Sequence, residues 1–80
     1  MTDGDAKKKR ITHERAERIA KAHACSRCAE YTFRKLTVKP ATKALEDELG
    51  VVWVAVRLCG VCNHEEEIGI AADGDIVYAS

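Results

Sequence analysis

Apolar positions first recur at helical spacing. Ala16, Ile19, Ala20, His23 and Ala24 fall at i, i+3, i+4, i+7 and i+8, one stripe of a helix over residues 12–24. Thr12 is a good N-cap, with His13 and Glu14 in the first turn. Glu14 with Arg18, and Glu17 with Lys21, are i,i+4 pairs in the favourable order. The stripe is mostly alanine, so the helix can approach its neighbours closely but buries little area. Its outer face carries Arg15, Arg18 and Lys21. His23, on the inner stripe, reads as a satisfied core histidine rather than a ligand.

The period then falls to two. Tyr31 to Lys39 is rich in strand formers, but Tyr31 and Phe33 share one phase while Leu36 and Val38 share the other. A bulge or turn near Arg34 and Lys35 accounts for the slip. Residues 40–49 return to helical spacing: Pro40 suits a first helical position, Ala41, Ala44, Leu45 and Leu49 make a stripe, and Gly50 supplies the stop. The alternative there is a flexible loop with an acidic tip. Val51 to Leu58 is the strongest strand, with Val52, Val54, Val56 and Leu58 on one face and Val51, Trp53 and Ala55 on the other. A strand apolar on both faces is central and covered on both sides. Trp53 is expected in the core against a helix, ahead of a surface platform for a base. His64 to Ala72 reads as a further strand with Ile68 and Ile70 in phase, Asp73-Gly74 as a two-residue hairpin turn, and Asp75 to Ala79 as the returning strand.

The cysteines change the picture. Cys25-Ser-Arg-Cys28 and Cys59-Gly-Val-Cys62 hold all four, with thirty residues between the pairs. A Cys-x-x-Cys pair places two thiolates on one tight turn, and two such turns face to face supply the tetrahedral shell of a structural zinc ion. One Zn2+ is therefore expected on Cys25, Cys28, Cys59 and Cys62. Rubredoxin-like iron uses the same ligands. Two disulfides need an oxidising compartment, and the charged first residues show no apolar leader. A cytoplasmic location, or a nuclear one in a nucleated cell, is the expectation. His23 and His64 lie two residues outside the pairs; with four sulfurs completing the shell, neither is needed as a ligand.

One domain of this size has a marginal core without a metal. The fold predicted is a small α+β metal-stabilised domain. It has a three-stranded antiparallel sheet with a cysteine knuckle between its first two strands, an N-terminal helix over residues 12–24, and a short helix in the insertion between the pairs. Residues 1–11 form a disordered basic arm and residues 12–80 the domain.

Formal net charge is zero but bipolar. Residues 1–43 carry twelve Lys and Arg against five Asp and Glu; residues 44–80 carry one Arg against eight acids. The basic half suggests a polyanion partner through Lys7, Lys8, Lys9, Arg10, Arg15, Arg18 and Lys21. Arg27, between the first two sulfurs, adds a cation that offsets the thiolates. The alternative is a solvated charged surface. No catalytic constellation is visible: there is no Ser/His/Asp arrangement, no Gly-rich phosphate loop, and a four-sulfur shell leaves no place for water. The chain is expected not to be an enzyme.

Knuckle, strand, knuckle, hairpin over residues 25–79 resembles the zinc ribbon. That resemblance implies a setting in an RNA polymerase, a transcription factor or a ribosome. Lys7, Lys8, Lys9 and Arg10, Cys62-Asn-His-Glu-Glu-Glu-Ile-Gly-Ile70 and Asp75-Ile-Val-Tyr-Ala-Ser80 are similar to the small transcription elongation factor 1-like ribbons. Here the gap between pairs is longer, a helix separates arm from knuckle, and the tryptophan beyond the tail is absent. Rubredoxins share the gap and aromatic residues like Tyr31 and Phe33, but place Gly where this chain has Ala29 and Asn63. Glu46-Asp47-Glu48 resembles the acidic hairpin tip of transcript-cleavage ribbons, but lies too far before Cys59 and reads as a solvated face. The resemblance implies a non-enzymatic binding module for nucleic acid or a nucleoprotein machine. The alternatives are a protein adaptor using the acidic half, and electron transfer.

Overall fold

A computed structural model describes residues 10–80. In chain order the elements are α1 (His13–Ala22), β1 (Phe33–Pro40), α2 (Lys43–Leu49), β2 (Val51–Cys59), β3 (Glu65–Ala71) and β4 (Ile76–Ala79). The strands form one antiparallel sheet in the order β1-β2-β3-β4.

The sheet therefore has four strands where three were expected. The extra one is β1, whose alternation the phase slip concealed. Its register against β2 shifts between Phe33 and Lys35, the bulge that the slip called for. Beyond it Leu36 lies opposite Arg57 and Val38 opposite Ala55, so the second phase of β1 joins the core face.

Helix α1 begins as expected: the Thr12 side chain accepts from the Arg15 amide at 3.1 Å. It ends two residues early, at Ala22, because His23 is already extended and turns the chain toward Cys25. Ala16 and Ala20 are fully buried against Ala55, Ile68 and Ile70, with Ile11, Ile19, Leu36, Val38, Trp53 and Ile76 packed around them. Alanine on the helix is what lets its backbone sit this close to the sheet.

Pro40 is the last residue of β1 and does not start α2. Thr42 is the cap, accepting from the Leu45 amide at 3.2 Å. Gly50 stops the helix in the left-handed region, φ 73°, donating back to the carbonyls of Glu46 and Leu45. α2 buries no residue completely and Leu49 is exposed, so it is a light cover over β2.

Strand β2 is central, as its two apolar faces required. Trp53 is half-buried; its ring N–H donates to the Ile11 carbonyl at 2.8 Å, and its ring meets His13 edge-on. Of the arm expected over residues 1–11, residues 1–9 lie outside the described residues. The Ile11 amide donates to Ala72 at 3.0 Å, and Arg10 pairs with Glu46 at 2.6 Å. On the far face of the sheet the Tyr78 ring lies against Gly69, where any side chain would collide with it. Its hydroxyl donates to Glu67 at 2.5 Å, and burial first, then that carboxylate, pushes the phenol up to about 12.

Candidate metal centre

The first cysteine pair sits on a tight turn between α1 and β1, the second on a turn entered where β2 delivers Cys59. The two turns are built alike. The residue after each second cysteine is left-handed, Ala29 at φ 64° and Asn63 at φ 62°. The Ala29 amide reaches the Cys25 carbonyl at 2.8 Å, and the Asn63 amide reaches Cys59 at 3.1 Å. Asparagine tolerates this conformation; alanine pays roughly 1–2 kcal/mol for it. Ala29→Gly should therefore stabilise the metal-loaded protein by about 1 kcal/mol, read as a higher urea midpoint at unchanged slope.

The four sulfurs converge, all within 4.8 Å of one another. Cys28 and Cys59 are 3.5 Å apart, Cys25 and Cys62 3.8 Å. A tetrahedron with metal–sulfur bonds of about 2.3 Å has edges of about 3.8 Å, so the cluster has the size such an ion needs. Cys25 and Cys59 are buried; Cys28 and Cys62 are partly so.

The four thiols are electrostatically unequal. The amides of Cys62 and Val61 lie 3.5 and 3.4 Å from the Cys59 sulfur and pull its thiol down to about 6. The Cys28 amide likewise lowers Cys25. At Cys28 the Glu30 amide pulls downward, but burial and the neighbouring sulfurs together push the thiol up to about 12. Cys62 is raised, by burial above all. Four thiolates this close cannot share the site without a cation among them.

Behind the first knuckle lies a charge pair that the periodicity did not lead us to expect. Arg57 is 0% exposed and Glu66 3%, and they meet at 2.5 Å as cross-strand neighbours on β2 and β3. Arg57 also donates to the carbonyls of Ala20 at 2.8 Å, of His23, and of Ala24 at 3.4 Å, gathering the open end of α1. The Phe33 ring covers its guanidinium at 4.4 Å. Glu66 accepts from the Ser26 hydroxyl at 2.6 Å, and Ser26 lies between Cys25 and Cys28. One buried pair thus ties the metal knuckle to the sheet and to the end of α1. The signal was in the phase: Arg57 continues the face of Trp53 and Ala55, and Glu66 continues that of Ile68 and Ile70.

The expected polyanion contacts separate. Arg10, Arg15 and Arg18 line one shallow groove of about 540 Å³, closed by Ile11, Thr12, Ala72 and Asp73. Lys21 instead reaches Glu17 at 3.6 Å. Arg27 is exposed at the cysteine end, past the opposite terminus of α1. Lys7, Lys8 and Lys9 lie outside the described residues.

Fold and site together define a small α+β domain with a four-cysteine cluster arranged to hold a metal ion. Comparison with protein-family models, curated proteins and solved structures returned no match. Among the described residues no helix is long and apolar enough to cross a membrane.

Proposed function

We propose that the chain is a non-enzymatic, zinc-ribbon-like module that binds nucleic acid, alone or within a nucleoprotein machine of transcription or translation. The observation that carries this reading is the groove of Arg10, Arg15 and Arg18. Its two helix-borne arginines are i and i+3 on α1, so they share one side of the helix. Zinc is the ion a closed four-thiolate shell favours in a site with a structural role. Its part here is to fix the knuckles, and no open position is left for catalysis.

The adaptor alternative relies on free acids in the second half. Two are already engaged within the chain, Glu66 with Arg57 and Glu67 with Tyr78. That favours the basic surface as the working one.

Phosphate contacts release counterions, so the test is a salt titration of binding to single-stranded RNA, single-stranded DNA and duplex DNA. Arg10 is held by Glu46 at 2.6 Å, so Arg15 and Arg18 on two phosphates give a log–log slope of about −1.5 to −2. Reversing Arg15 and Arg18 to Glu should flatten it by roughly 2 and weaken all sequences alike. Absence of binding to any of them at low salt, or binding indifferent to the reversals, returns the adaptor reading to first place.

A further inference from the structure

Among the described residues the two most exposed large hydrophobic side chains, Tyr31 at 63% and Val61 at 59%, both belong to the cysteine end. Neither sits on a loose loop. The residues flanking Tyr31 are each pinned to a different knuckle: the Glu30 carbonyl accepts from the Cys25 amide at 2.8 Å, and the Thr32 carbonyl accepts from the Gly60 amide at 2.8 Å. Val61 lies inside the second knuckle, its amide directed at the Cys59 sulfur. The Tyr31 backbone is therefore clamped across the two turns that the metal joins, while its ring stands in solvent.

Resting on the nucleic-acid reading above, we propose that Tyr31 is a stacking platform for an unpaired nucleobase. Val61 forms the apolar margin of the platform, and the site is a second contact distinct from the arginine groove. The local charge favours this occupant. A divalent ion in four thiolates leaves two negative charges, which would repel a polyanion. The exposed cations Arg27, inside the first knuckle, and Arg34, at the bulge of β1, offset part of this charge, against the exposed Glu30 beside Tyr31. What the tip then offers is a ring face without net positive charge, which suits a base rather than a row of phosphates. A residue whose backbone is already fixed loses less freedom on stacking, and stacking is tolerant of base identity. The groove reaches Arg18 and the tip lies beyond Ala22, so at least about 6 Å of helix separates them. A single strand can thus touch the arginines with its backbone and Tyr31 with a base further along.

The two contacts have different salt signatures, which makes them separable. Full-length, zinc-loaded protein is titrated with a single-stranded oligonucleotide of about 12 nucleotides, inside the range such sites cover, and with the matching duplex, at several salt concentrations. Tyr31→Ala should lower single-strand affinity about tenfold, leave the salt slope unchanged and leave duplex affinity unchanged. Tyr31→Trp should restore the single-strand affinity. If Tyr31→Ala binds single strands as the parent does, while the Arg15 and Arg18 reversals still abolish binding, the platform is refuted and the phosphate reading stands. An equal loss on duplex and single strand also refutes it, since a paired base has no free face to offer. If the parent protein binds neither oligonucleotide at low salt, the underlying reading fails and takes the platform with it.

Discussion

Cys59→Ser should leave the chain without a cooperative thermal melt, and chelation should do the same to the parent protein. The buried apolar set is Ala16, Ala20, Cys25, Val51, Val52, Val54, Ala55, Cys59, Ile68 and Ile70. It holds two isoleucines and otherwise only small or valine-sized side chains. At about 25 cal/mol per Å² of apolar surface, such residues supply little against the entropy of ordering a chain this short. An ion on the four sulfurs would close the thirty-residue span between the pairs and join the end of β2 to the turn that follows α1. Circular dichroism with temperature, before and after chelator, checks the point. A chelated chain that keeps its sheet signal and melts cooperatively would show that the apolar core suffices alone.

The second large effect is expected at Arg57. Arg57→Met removes the cation from a buried carboxylate and leaves three carbonyls at the end of α1 without their donor. Breaking one side of a buried pair costs about 3–5 kcal/mol, well above the usual single substitution. Urea denaturation of the zinc-loaded proteins measures it, and a loss under about 1 kcal/mol would contradict the role assigned to the pair. Replacing Glu66 by Met as well should recover part of the loss but not all, because the helix end stays uncapped.

The same pair gives stability a definite acid dependence. Burial alone would raise Glu66, but the Ser26 hydroxyl and Arg57 more than offset it and hold the carboxyl below its ordinary 4.5. A carboxyl depressed in the folded state contributes its stability in full above its unfolded value. That contribution is lost as pH falls through the folded value. Glu66→Gln should remove this part of the acid-side slope while lowering stability at neutral pH.

Much of the fold could be read from period and punctuation. Thr12, Gly50 and the central strand β2 came from cap chemistry and from a run apolar on both faces. That the four cysteines would cluster came from spacing alone, because two thiols on one turn need no tertiary information to be recognised. β1 was harder, since its bulge shifts the alternation and divides one strand into two short phases. Pro40 misled because proline suits both a helix start and a strand end, and the neighbouring Thr42 was the better cap. The Arg57–Glu66 pair was hidden for another reason. A charge in phase with a core face is normally read as the end of that face, and only the cross-strand register shows that two such charges meet. The arginine groove needed the fold as well, because Ala72 and Asp73 close it from the β3–β4 turn.

Native mass spectrometry of protein purified from cells without chelator tests the metal centre most directly. The expected species is one zinc ion per chain, with a mass showing that the cysteine thiols have given up protons to bind it, and with loss of the ion on replacement of any of Cys25, Cys28, Cys59 or Cys62. Two disulfides in place of an ion, or iron with a red chromophore, would contradict it.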